Sequence, residues 1–239
     1  MKLPLPDVIP SFRDFYSFEA HVRNARKKRG LDMVPEWYDA PVFYFSNVAG
    51  IVGPNAPIRK PPDTKELDYE LELAVIIGRE GRDIPVADAD DYIAGFTILN
   101  DWSARDLQRQ EMKVGLGPAK GKDFATSIGP YLVTPDELED HVLPDRRWGK
   151  IYDLTMTAQV NGKEYSRGNA KDMRWTFAEM IAHASRNTVL KPGDLIGSGT
   201  VGTGCITEFP DGAFPWLYPG DVVRLEIEGI GVLENPIIE

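Results

Sequence analysis

Sulfur and imidazole are scarce in this chain, and long apolar runs are absent. The single cysteine, Cys205, excludes an intrachain disulfide and fits a reducing compartment. With only three histidines there is no Cys/His cluster of the sort that holds structural zinc. No apolar stretch approaches the roughly 20 residues a membrane helix needs. The opening MKLPLPDVIPSF has one lysine, several prolines and no apolar core, unlike a signal peptide, so a cytoplasmic location is expected. Positive charge is also short: 27 Lys and Arg face 37 Asp and Glu, for a net charge of -10. That balance argues against a nucleic-acid surface. An anionic substrate would need local positive charge, from a cation or from buried Arg and Lys. What is present is ordinary for a globular protein: 239 residues, 42% hydrophobic and 27% charged, enough for one large domain or two small ones.

The most informative stretch runs from Glu66 to Asp106. Leu67, Tyr69, Leu71, Leu73, Val75 and Ile77 alternate with Asp68, Glu70, Glu72, Ala74 and Ile76, the period of a strand. Glu70 and Glu72 then share a face, roughly 7 Å apart. A second apolar run, Tyr92 to Leu99, ends at Asn100-Asp101, where a turn should begin. If Asp101 returns over the glutamates, three carboxylates converge, a donor set that suits Mg2+, Ca2+ or Mn2+. An amphipathic strand with a wet acidic face is the competing reading. Against it, the glutamate face continues as Ala74 and Ile76. Arg105 and Gln108 also follow one turn apart on a helix opened by Ser103.

Elsewhere the pattern gives a helix opening at Asp14–Ser17 and running to about Arg29, with Ser17 as N-cap and Gly30 as stop. His21 lies on it with Phe18 and Ala25 at i-3 and i+4, and reads first as a packed helix residue. The aromatic segment Pro35 to Phe45 enters a short strand, and Leu116 to Thr126, with Lys120 and Lys122, is a loop that lacks the Walker A spacing. Asn161-Gly162 marks a hairpin between Tyr152–Val160 and Lys163–Ser166. A helix is expected over Arg174–Ser185. Pro192-Gly193-Asp194 and Pro219-Gly220-Asp221 turn the chain into Leu195–Gly197 and Val222–Ile227. Many strands and few helices predict a mainly-β domain with a mixed sheet. Gly197 to Gly202 matches G-x-G-x-x-G, but Gly204, Pro210, Gly212 and Pro215 forbid the helix a dinucleotide site requires. A nucleophilic Cys205 is disfavoured because no Lys or Arg stands close in sequence to lower its pKa.

Four segments resemble the fumarylacetoacetate hydrolase family: ELDYELELAVIIG at 66–78, AGFTILNDWSARDLQ at 94–108, GPAKGKDF at 117–124 and PGDLIGSGT at 192–200. The resemblance runs from about Asp14 to the C-terminus. It implies a mixed β-sandwich roll, mainly β with α, usually a homodimer. Residues 1–60 would be a lead-in and lid segment packed on a metal-binding catalytic part at 61–239, in one structural domain overall. It further implies Glu70, Glu72 and Asp101 as ligands of Mg2+, or of Ca2+ or Mn2+, joined by Asp14 from the segment Asp14-Phe15-Tyr16-Ser17. His21 would be the catalytic base, paired with Glu208, although the loop around Glu208 is less similar. Lys122 would stabilise the oxyanion. Arg105, Gln108, Thr200, Tyr16 and Tyr44 match substrate contacts.

Two departures bear on the activity. The eukaryotic enzyme carries an extra domain before the segment at Asp14, so the chain resembles a catalytic-domain-only member. Smaller acylpyruvase and oxaloacetate decarboxylase members carry H-x-x-E on the lid helix, whereas here Asn24 follows His21. That departure favours a His21–Glu208 dyad. The expected activity is hydrolysis of a C–C bond in a 1,3-diketo acid, fumarylacetoacetate-like or acylpyruvate-like, as in the catabolism of aromatic compounds. Water would be activated by the dyad and the enolate held by the metal. The alternative is decarboxylation of a β-keto acid such as oxaloacetate, or isomerisation of a dienedioate, at the same site.

Overall fold

A computed structural model describes residues 1–144 and 148–239. In chain order its strands are β1 (Lys2–Leu3), β2 (Phe12–Phe15), β3 (Phe43–Ser46), β4 (Ile51–Val52), β5 (Ile58–Arg59), β6 (Leu67–Asp68), β7 (Leu71–Ile77), β8 (Gly81–Arg82), β9 (Ile93–Asn100), β10 (Ser103–Ala104), β11 (Thr126–Val133), β12 (Thr155–Val160), β13 (Lys163–Asn169), β14 (Val189–Leu190), β15 (Leu195–Gly197), β16 (Val222–Ile227) and β17 (Gly231–Ile238). The α-helices among the described residues are α1 (Glu19–Lys28), α2 (Arg105–Met112) and α3 (Phe177–Ala184). The main sheet runs β1-β11-β9-β7-β15-β2-β3, with β4 beside β11, and the second runs β13-β12-β16-β17-β5. The main sheet is mixed: β15 is parallel to β2 and antiparallel to β7. This is the mainly-β fold with helices that the segment pattern predicts.

Strand β7 lies between β9 and β15, and every residue from Leu71 to Ile77 is buried. Leu71, Leu73, Val75 and Ile77 join the larger core with Met156, Leu225 and Leu233 of the second sheet. Ala74 and Ile76, on the other face, pack with Phe12, Leu99 and Leu195. Each buried aliphatic of this size contributes about 1.5–3 kcal/mol, so the register is firmly specified. A slip of one residue would drive the Glu72 carboxylate into the larger core. The alternation therefore reflects two buried faces rather than one wet face.

Several local expectations differ from the structure. The strand expected over 67–77 is interrupted at Tyr69 and Glu70. Their N–H groups donate to Asp68 Oδ1 and Asn100 Oδ1, each at 2.9 Å, so side chains replace the ladder there. Helix α1 starts at Glu19, because Asp14 and Phe15 belong to β2. Ser17 does not cap it: its hydroxyl donates to the Ser198 carbonyl, and Phe18 holds the N-cap position. Ser103 does not cap α2 either, because its hydroxyl donates to the Asp101 carbonyl at 3.0 Å. Helix α3 starts after Thr176 rather than at Arg174. Thr176 Oγ1 accepts from Glu179 N–H while the Glu179 carboxylate accepts from Thr176 N–H, a reciprocal cap. The hairpin is as expected, with Asn161 and Gly162 at φ of 51° and 78°, the left-handed pair such a two-residue turn demands. The turns at 192–194 and 219–221 deliver β15 and β16 as expected.

Candidate active site and metal centre

Three strand ends and two loops bring the acidic residues together. Asp14 lies on β2, Glu72 on β7 and Glu70 just before it, and Asp101 just after β9. Gly197 lets β15 pass between them: a Cβ there would lie 2.5 Å from Asp14 Oδ1 and 3.1 Å from Glu72 Oε2. At Gly199, with φ of 79°, a Cβ would lie 2.4 Å from the Phe15 carbonyl oxygen. The glycines of the apparent dinucleotide motif therefore serve close approach.

Asp14, Glu70 and Glu72 each offer an oxygen within 4.8 Å of the others, and all three are buried. Burial, then the neighbouring Asp101 charge, pushes Asp14 up to about 8. Burial, followed by Asp14 and Glu70, pushes Glu72 well above the carboxylate range. Asp14 Oδ1 is buried without a hydrogen-bond partner. Crowded carboxylates with an orphaned oxygen are costly unless a cation compensates them, and a purely oxygen donor set fits a hard divalent ion. Asp101 stands apart from that tight group. Its carboxylate is taken by Lys122 Nζ at 2.8 Å, by the Tyr44 hydroxyl and by Thr126 Oγ1 at 3.5 Å.

Lys122 bridges the two halves, with Nζ also 2.6 Å from Glu70 Oε2. Burial alone would lower its pKa, but Asp101 and Glu70 outweigh burial and hold it charged. Burial would likewise raise Glu70, yet Lys122 and Arg105 bring it down to about 2. Arg105 Nη2 lies 2.9 Å from Glu70 Oε1 as an ion pair without hydrogen-bond alignment. Its Nη1 donates to Gln108 Oε1 at 3.1 Å. Thr200 Oγ1 donates to Glu72 Oε1 at 3.3 Å.

His21 Nδ1 stands 2.7 Å from Glu208 Oε1. Asn24 Nδ2 donates to Glu208 Oε2 at 2.9 Å, as do the N–H groups of Thr203 to Oε2 at 2.9 Å and Gly204 to Oε1 at 3.1 Å. Burial raises Glu208, but His21 and these donors outweigh it and leave it below its ordinary value. Tyr16 meets the His21 ring edge-on at 5.4 Å between centroids, and burial holds its hydroxyl at about 12. A cavity of about 1070 Å³ is lined by Asp14, Tyr16, His21, Tyr44, Glu70 and Glu72, and also by Arg105, Gln108, Lys122 and Thr200. Asp101 and Glu208 do not line it; Asp101 connects to it through Lys122 and Tyr44, and Glu208 through His21. Cys205 does not line it; burial pushes its thiol well up, and its Sγ lies behind the histidine.

Two residues beyond the expected set hold this arrangement. Asp68, fully buried, accepts from Arg105 Nε at 2.9 Å and from the N–H groups of Ile206 at 2.8 Å and Thr207 at 3.0 Å. It ties the arginine to the 3-10 turn that carries Glu208. Its position two residues before Glu70, on the same side of the alternation, is the signal that marks it. Glu111, on α2, accepts from the N–H groups of Ala119 at 2.9 Å, Lys120 at 2.5 Å and Gly121 at 3.0 Å, holding the loop that leads to Lys122. Nothing in the local pattern singles it out.

Comparison with known proteins places this geometry. Fumarylacetoacetase of Rattus norvegicus is 35% identical over 237 residues, covering 82% of this chain and 56% of that protein. An oxaloacetate tautomerase of Xenopus laevis is 36% identical over 201 residues, covering 83% of this chain and 58% of its own. The chain thus spans little more than half the length of these curated relatives. Fumarylpyruvate hydrolase of Pseudomonas aeruginosa, whose crystal structure holds Mn2+ and pyruvate, shares the fold at a TM-score of 0.77 and 24% identity over 100% of this chain and 95% of that one. The model of the family described as fumarylacetoacetate (FAA) hydrolase C-terminal matches residues 11–238. That match leaves almost none of the chain outside it, and the chain belongs to the fumarylacetoacetate hydrolase C-terminal family.

Proposed function

We propose that this protein is a divalent-metal-dependent hydrolase that cleaves a C–C bond in a 1,3-diketo acid of the acylpyruvate or fumarylacetoacetate kind. The observation that carries this reading is the His21–Glu208 contact at 2.7 Å, fixed further by Asn24, beside the carboxylate cluster in one cavity. A hydrolase needs a base for water and a decarboxylase needs none; a tautomerase would use the same base to move a proton, so substrate turnover separates it. Asp14, Glu70, Glu72 and Asp101 would hold Mg2+ or Mn2+, the latter being the ion in the P. aeruginosa enzyme. When bound, that ion supplies Lewis-acid stabilisation of the negative charge that develops on substrate oxygens.

Glu208 holds the imidazole by Nδ1, leaving Nε2 to take a proton from water. The resulting hydroxide adds to a ketone carbon, the C–C bond breaks, and its electron pair passes to the other fragment as an enolate. The proton on His21 then returns to that fragment. Arg105 and Gln108 orient the substrate carboxylate, Lys122 adds positive charge next to the reacting oxygens, and Tyr16, Tyr44 and Thr200 shape the pocket. Within residues 1–60, whose strands β1 to β4 join the main sheet, α1 serves as the lid. The working unit is a homodimer, as the family resemblance implies, and the lone Cys205 fits a reducing, cytoplasmic location. No described helix is long and apolar enough to cross a membrane. The second reading, tautomerisation of oxaloacetate, is favoured by the likeness to the X. laevis tautomerase.

Turnover of acylpyruvate, fumarylacetoacetate and oxaloacetate, with Mn2+ and with EDTA, separates the two. His21→Ala should lower hydrolytic kcat by about 10²–10⁴-fold while calorimetry still detects bound Mn2+. Hydrolysis by that variant at the native rate, or turnover of oxaloacetate alone, overturns the hydrolase reading.

A further inference from the structure

Behind the His21 ring lies a second set of ligand-bearing side chains, chemically unlike the carboxylate cluster. Cys205 Sγ is 4.0 Å from His21 Nδ1 and 3.5 Å from Glu208 Oε1, and Nδ1 and Oε1 are 2.7 Å apart. All three residues offer donor atoms within 4.8 Å of one another. Sulfur, imidazole nitrogen and carboxylate oxygen together form a borderline-soft set, which Zn2+ prefers and Mg2+ does not. At ordinary Zn–ligand lengths, tetrahedral ligands stand about 3.3–3.6 Å apart. The S–O spacing already fits. The other two need shifts of tenths of an ångström, within reach of side-chain torsions. A thiolate and a carboxylate would also neutralise the dication, so the occupied site would carry no net charge.

We propose that Cys205, His21 and Glu208 form an inhibitory site for a borderline-soft divalent cation such as Zn2+, separate from the carboxylate centre. Binding forms bonds from the metal to Sγ, Nδ1 and a Glu208 oxygen. The thiol proton leaves to solvent. The imidazole, still neutral, moves its proton from Nδ1 to Nε2. The nitrogen that would accept a proton from water then carries one, so the base is blocked without disturbing Asp14, Glu70 or Glu72. The inhibitory half rests on His21 acting as the base; the metal site itself does not.

The test uses the full chain with Mg2+ in excess, probed with Co2+ and with Zn2+. Co2+ bound at this site gives a thiolate-to-cobalt charge-transfer band in the near ultraviolet, expected in the native protein and absent from Cys205→Ala. Zn2+ should inhibit Mg2+-supported turnover, and Cys205→Ala, which removes a direct ligand, should weaken that inhibition by at least the roughly 10–100-fold that loss of an outer-shell partner costs. Absence of the thiolate band from the native protein at saturating Co2+ overturns the site, whatever the substrate proves to be. Equal Zn2+ inhibition of the native protein and Cys205→Ala overturns the inhibitory role. The band is read without any substrate, so failure of the proposed hydrolysis and failure of this site are told apart.

Discussion

Glu72 is a carboxyl whose surroundings disfavour its charge: fully buried, with Asp14 and Glu70 as neighbours and, among the described residues, the Gly199 N–H and Thr200 hydroxyl as donors. Glu72→Gln keeps an acceptor for both donors and removes a carboxyl whose raised pKa works against folding at neutral pH. In the metal-free protein it should raise Tm, at about 2–4 °C per kcal/mol for a chain of this size. It should also abolish the Tm gain that Mn2+ gives. A variant whose Mn2+ response equals the native one would remove Glu72 from the ligand set. Asp68 is the opposite case, a buried carboxylate with every oxygen used. Burial raises its pKa, although Arg105 and the N–H groups of Ile206 and Thr207 pull it down. Asp68→Asn leaves the Arg105 charge under-compensated. Breaking a buried pair of this kind costs about 3–5 kcal/mol, and substrate KM should rise with the loss of Tm. A normal KM in a destabilised variant would show that Asp68 supports the fold without placing Arg105.

At the scale of elements, the loop before Lys122 has no secondary structure of its own and depends on Glu111. Three backbone donors converge on that carboxylate and hold it below its ordinary pKa, although burial works the other way. Glu111→Ala should speed amide exchange at residues 119–121 and lower kcat more than it changes the exchange of β7. Unchanged exchange in the loop would show that the packing of α2 suffices. Elements ruled by local chemistry were legible in the sequence. The Asn161-Gly162 hairpin and the two Pro-Gly-Asp turns need only backbone preferences, and the alternation of 71–77 needs only two buried faces. Helix starts were less so. Ser17 and Ser103 have the chemistry of caps, but their hydroxyls go to the Ser198 and Asp101 carbonyls. Those acceptors are set by tertiary structure, which no window of sequence contains. The acidic pair was legible by its spacing. Asp14, His21 and Glu208, scattered along the chain, were reached only by family resemblance, and the diversion of Asp101 to Lys122 and Tyr44 by neither route.

Across the whole molecule, a net charge of -10 coexists with a cavity lined by Arg105 and Lys122, both paired with carboxylates, so the positive charge an anionic substrate requires would be completed by a bound divalent ion. The acidic cluster also makes metal affinity a function of pH. Asp14 goes from an ordinary 3.8 to about 8 in the folded metal-free protein, chiefly through burial. Within that window the folded state keeps a proton that the unfolded chain has released, so this group's contribution to stability falls as pH rises. A cation needs the carboxylate ionised, so Mn2+ affinity should rise from about pH 6 to about pH 8, with protons released on binding. Calorimetry in buffers of different ionisation enthalpy would reveal the release; an affinity flat across that range would show that Asp14 is not protonated. Strand order carries one more consequence. β2 joins the main sheet through β15, which separates it from β7. A nascent chain can pair Asp14 with Tyr44 of β3 early, but cannot join that strand pair to the rest of the main sheet until residues 195–197 emerge, 181–183 positions after Asp14. All the strands between which these acids meet, β7 and β9 included, are thus synthesised before Asp14 can reach Glu70 and Glu72 through β15.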